Sequence, residues 1–70
     1  MKINSIYDIR QLLLRYHSVI YTRDPNADII LMEEELAMLK EAGLLEAKDY
    51  YACKLVLQAE QRRLEQNDQG

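Results

Sequence analysis

A small all-α protein, a three-helix bundle, is what this sequence predicts. Three observations carry that expectation. Apolar residues recur at helical spacing in three stretches, around residues 6–16, 29–39 and 50–64. Short connections separate them, one marked by Asp24-Pro25 and the other by Gly43. No useful run alternates apolar and polar residues with period two, so no strand is expected. Helices of this kind bury their apolar faces on one another.

The first helix has Ser5 as its N-cap, with Asp8 three residues on, near the positive helix end. This is a capping box with Asp in place of Glu or Gln. Ile6, Ile9, Leu12, Leu13 and Tyr16 share one arc, while Tyr7, Arg10 and Leu14 fall on another side. No Gly or Pro closes the helix, and its end is expected between Tyr16 and Ile20. Pro25 pushes Asp24 out of helical geometry, so Asp24 caps the second helix with Pro25 at its first position. That helix runs to about Ala42, with Ile29, Met32, Leu36 and Leu39 as its core stripe. Leu31, Met38 and Ala42 form a second stripe, and Glu35 projects between the two. Gly43 is the expected left-handed stop, after which Leu44 and Leu45 fold back over the helix end. The third helix starts near Glu46-Ala47 and aligns Tyr50, Cys53, Val56, Leu57 and Leu64. Residues 1–65 are expected as one domain, and 66–70 as a polar tail.

Composition narrows the function classes. The chain has 70 residues, enough for one small core and no more. A hydrophobic fraction of 49% is too high for a disordered chain. No segment is long and apolar enough to span a membrane, and Lys2 precedes no apolar signal run. With a single cysteine no internal disulfide forms, and a cytoplasmic location is expected. The net charge of −3 is unevenly distributed. Residues 1–25 hold four basic side chains against two acidic, a balance of +2. Residues 26–49 hold two against seven, a balance of −5, and residues 50–70 are neutral. The whole chain repels a polyanion, but its first third attracts one.

Catalytic constellations are missing from the pattern. Ser5 and Ser18 read as cap and turn residues. His17 reads as a partly exposed residue near a helix end, and Cys53 as a small hydrophobe on a core arc. Glu33, Glu34 and Glu35 splay by 100° each, so they do not converge on one ion. No glycine-rich phosphate loop and no histidine pair on a helix occurs. The expectation is therefore no enzyme, no catalytic residue, no metal and no cofactor.

Three surfaces stand out instead. Glu35 needs a cation or tyrosine hydroxyl if it is enclosed, with Arg10, Arg15 and Lys54 as candidates, or else a wet rim position. Leu14, Leu31, Met38, Tyr51 and Leu55, with Tyr7, lie off the core arcs and form a candidate interaction surface. Tyr7, Arg10, Arg15, Tyr21 and Arg23 combine cations for phosphates with flat rings for bases, as a single-stranded nucleic acid requires. The acidic second helix would make such a site one-sided and salt-sensitive.

The order of landmarks is also informative. Tyr7-Asp8-Ile9, Leu12-Leu13, Tyr16, Ile20-Tyr21 and Asp24 are followed by Asp28-Ile29, Leu31-Met32, Glu35-Leu36 and Gly43-Leu44, then Tyr50, Val56-Leu57 and Glu60. This series resembles the YqgQ-like family of small bacterial proteins, over roughly residues 5 to 60. The resemblance implies a compact three-helix protein of low-GC Gram-positive bacteria, with no assigned enzymatic activity, for which single-stranded nucleic acid binding has been suggested. It carries Tyr7, Arg10 and Tyr21 over as candidate contacts. The chain departs from the family pattern at His17, where glycine is expected, and at Pro25, where a charged residue is expected. The function expected is thus a non-enzymatic binding protein with single-stranded DNA or RNA as ligand. The alternative is a protein–protein or self-associating helical module with a homo-oligomer or protein partner.

Overall fold

The computed structural model describes residues 2–67 and contains three helices: α1 (Ile6–Arg15), α2 (Pro25–Glu41) and α3 (Ala47–Asn67). α2 packs most extensively on α3, and α1 rests on α3 as well. The long α3 gives the molecule its elongated outline of 41 × 22 × 17 Å. α3 takes in Gln66 and Asn67 from the expected tail, while residues 68–70 lie outside the described residues.

The starts of α1 and α2 follow from their caps. The Ser5 hydroxyl accepts from the Asp8 N–H at 3.4 Å. The Asp8 carboxylate accepts the Asn4 N–H at 2.9 Å, one residue earlier than a capping box would have it. Asp24 accepts from the N–H groups of Asn26 and Ala27 at 3.0 and 3.4 Å, with Pro25 at the first helical position.

Helices α1 and α2 both end in Schellman turns, from different chemistry. In α2 the Gly43 N–H bonds to the Lys40 carbonyl and the Leu44 N–H to the Leu39 carbonyl, with Gly43 at φ +77°. In α1 the His17 N–H bonds to the Leu14 carbonyl and the Ser18 N–H to the Leu13 carbonyl, with His17 at φ +62°. The helix therefore stops at Arg15, before the predicted window, because the left-handed turn was assigned to a residue other than glycine. His17 thus holds a backbone conformation that glycine adopts without steric cost.

The core joins Ile9, Leu12 and Leu13 of α1, Ile29, Met32, Leu36 and Leu39 of α2, Cys53 and Leu57 of α3, and Leu45 from the second connection. Ile6, Tyr50, Val56 and Leu64 pack at its edge. Two expectations need correction. Tyr16 lies on the core arc by angle, yet it follows the last helical residue and is exposed, its hydroxyl donating to the Leu44 carbonyl at 3.1 Å. Leu45 alone folds over the end of α2; Leu44 stays at the surface.

Candidate nucleic-acid interface

The connection between α1 and α2 runs from Tyr16 to Asp24 and is fixed by one buried carboxylate. Asp28, in the first turn of α2, is only 4% exposed. Its Oδ1 accepts the Thr22 hydroxyl at 2.7 Å and the Thr22 N–H at 2.8 Å. Its Oδ2 faces the Arg10 guanidinium at 3.3 Å. Arg10 in turn donates to the Ile20 carbonyl. The Thr22 hydroxyl, with help from its N–H and from Arg10, holds the Asp28 carboxyl below the usual carboxylate range, against the opposing effect of burial. Sequence reasoning missed Asp28 and Thr22. The signal was an Asp in the first turn of a helix, next to the apolar Ala27 and Ile29, together with an unexplained arginine one helix earlier.

This clamp grips the backbone on both sides of Tyr21. Ile20 is held through its carbonyl and Thr22 through its N–H and hydroxyl. Tyr21 itself projects outward, 70% exposed. A groove of about 400 Å³ lies beside it, lined by Arg10, Gln11, Leu14, Ser18, Val19 and Tyr21 among others. Tyr7, 67% exposed, lies on the same helical face as Arg10, Gln11 and Leu14, one turn earlier. Arg15 and Arg23 are exposed and make no ion pair among the described residues. Arg23 has φ +69°, so the chain turns left-handed immediately before the α2 cap.

The predicted residues thus divide. Arg10 and Tyr21 meet in one groove, with Leu14 from the predicted interaction surface. Tyr7 extends that face, and Arg15 and Arg23 bracket the connection in sequence. Leu31, Met38, Tyr51 and Leu55 are exposed on α2 and α3, outside the groove lining. Glu35 meets none of Arg10, Arg15 or Lys54. It is half-buried and accepts the Ser18 hydroxyl at 2.6 Å, which adds a second tie from the connection to α2.

A second cluster escaped the sequence reading. The Lys40 ammonium lies 5.2 Å from the Tyr50 ring centroid and 5.9 Å from that of Tyr51, and the Lys54 ammonium lies 5.9 Å from Tyr50. The two rings meet edge to face at 5.4 Å. Among the described residues no group of three or more His, Cys, Asp or Glu side chains gathers to hold a metal ion. Burial and the nearby Asp49 push the Cys53 thiol up to about 11, so it stays protonated near neutral pH. No helix is long and apolar enough to cross a membrane.

The fold and this surface define a small three-helix protein with a clamped, aromatic-lipped groove between its first two helices. Residues 3–63 match the model of the YqgQ-like family, and the chain belongs to that family. No curated protein and no solved structure matches it significantly.

Proposed function

We propose that this chain is a non-enzymatic binding protein whose ligand is single-stranded nucleic acid, taken up along the Tyr7–Tyr21 face of α1 and the first connection. The observation that carries the reading is the exposed Tyr21 ring on a backbone clamped at both neighbours. A ring carried on a fixed backbone has less freedom to lose when a base stacks on it than one on a mobile loop, so more of the stacking energy appears as affinity. Tyr7 supplies a second flat face. Arg10 is committed to Asp28 and to the Ile20 carbonyl, so it acts as a positioning residue. Phosphate neutralisation falls to Arg15 and Arg23. The acidic outer side of α2 directs the strand away from that helix.

Fluorescence anisotropy with a labelled single-stranded oligonucleotide at low salt tests this. Tyr21→Ala is expected to cost about 1–3 kcal/mol of binding. Arg15→Ala with Arg23→Ala should flatten the salt dependence by roughly 0.7 log units per cation removed. Binding indifferent to both salt and the tyrosine substitutions would overturn the proposal. The alternative, a protein ligand, draws support from the apolar groove lining of Leu14 and Val19. A stoichiometric protein partner retained after nuclease treatment would favour it.

A further inference from the structure

Helix α2 is apolar on two opposite sides. Its inner face carries Ile29, Met32, Leu36 and Leu39, all buried. Its outer face carries Ile30, Leu31 and Met38, all exposed, with Met38 at 60%. A second, exposed apolar stripe on a helix already packed on its inner side marks a surface another partner can cover. Exposed Glu34 and Glu41 share that outer face, and among the described residues no cation pairs with them, because Lys40 turns toward the Tyr50 and Tyr51 rings of α3. Helix α3 presents the opposite combination. Lys48, Tyr51, Leu55 and Arg62 follow one stripe along its outer side, every one exposed. No carboxylate lies on that stripe between Lys48 and Arg62. Arg63, already paired with Glu60, points elsewhere.

Pairing α2 with α2 would set glutamate against glutamate, and pairing α3 with α3 would set cation against cation. Only α2 against α3 brings apolar residues together under opposite charges. We propose that a second copy of this chain is the partner, the outer stripe of α3 in one copy packing on the outer face of α2 in the other. The contact uses neither Tyr7 nor Tyr21, so it stands apart from the nucleic-acid reading. It also separates four of the five predicted interaction residues into two complementary halves, Leu31 and Met38 on one side and Tyr51 and Leu55 on the other, while Leu14 lies in the groove.

The test is mass in solution by sedimentation equilibrium and light scattering. The wild-type chain should show a mass above the 8.3 kDa of one copy. Lys48→Glu with Arg62→Glu, and separately Glu34→Lys with Glu41→Lys, should each weaken association about tenfold or more. An equimolar mixture of the two double variants should associate again, since one intact and one reversed pair of faces then match. All four positions are exposed, and helical circular dichroism checks that each variant is folded; Leu55→Ala, which removes apolar contact without a charge change, gives a second route to weakened association. A wild-type chain that remains monomeric at millimolar concentration, variants that associate undiminished, or a mixture no stronger than its parts would overturn the proposal.

Discussion

His17 and Asp28 show how much single residues decide here. His17 holds a left-handed conformation that glycine adopts without steric cost. Its N–H closes the α1 turn, and no other contact requires an imidazole. His17→Gly is therefore expected to raise stability by about 0.5–1 kcal/mol, the relief of strain less the extra freedom glycine gives the unfolded chain. Thermal denaturation of the two proteins measures it. Asp28 works in the other direction. Thr22→Val keeps the shape but removes the hydroxyl that does most to stabilise the carboxylate, and is expected to cost about 1–3 kcal/mol. The same carboxylate sets a pH dependence. Its folded-state pKa lies below the ordinary 3.8, so its contribution is complete above that value and is lost as pH falls through the folded pKa. Acid denaturation should begin near pH 4 and proceed below it, and Asp28→Asn should flatten the curve there. Cys53 offers a simple check on core burial: its protonated, enclosed thiol should resist alkylation in the native protein and react on denaturation.

Gly43 illustrates the balance at the scale of an element. A side chain added there would meet nothing within 4 Å, so space is no obstacle. Its backbone angle is the obstacle, and Gly43→Ala is expected to cost about 1 kcal/mol by urea denaturation. Periodicity made the helices legible because burial acts on faces. Ile9, Leu13, Met32, Leu36 and Leu57 were readable as core from spacing alone. Caps were legible where chemistry is local, as at Ser5 and Asp24. The α1 terminus was not, because a histidine in a glycine conformation carries no compositional signal. The clamp was illegible for a different reason. Arg10 and Asp28 are far apart in sequence and meet only after α1 and α2 have packed, so no spacing rule links them. Arg10 was accordingly read as a phosphate contact when its charge is largely spoken for. Glu35 was expected either to meet a cation or tyrosine hydroxyl or to sit at a wet rim; it is half-buried and meets a serine hydroxyl from the connection.

At the scale of the whole molecule, the two proposed functions fall on different sides. Tyr7, Tyr21 and the groove belong to α1 and the first connection, while the outer faces of α2 and α3 carry complementary charge and exposed apolar residues. Binding of an oligonucleotide and association between copies should therefore be separable by mutation. The Arg10–Asp28 clamp has one more consequence. A synthetic peptide of residues 1–25 contains every tyrosine and arginine assigned to the strand, but it lacks Asp28 and the core that buries it. On the proposed reading, recognition should not be portable as a linear motif, because the anchoring carboxylate belongs to the next helix. Loss of ligand should thus track the unfolding transition with a shared midpoint, and saturating oligonucleotide should raise the melting temperature by an amount that grows with the logarithm of its concentration over Kd.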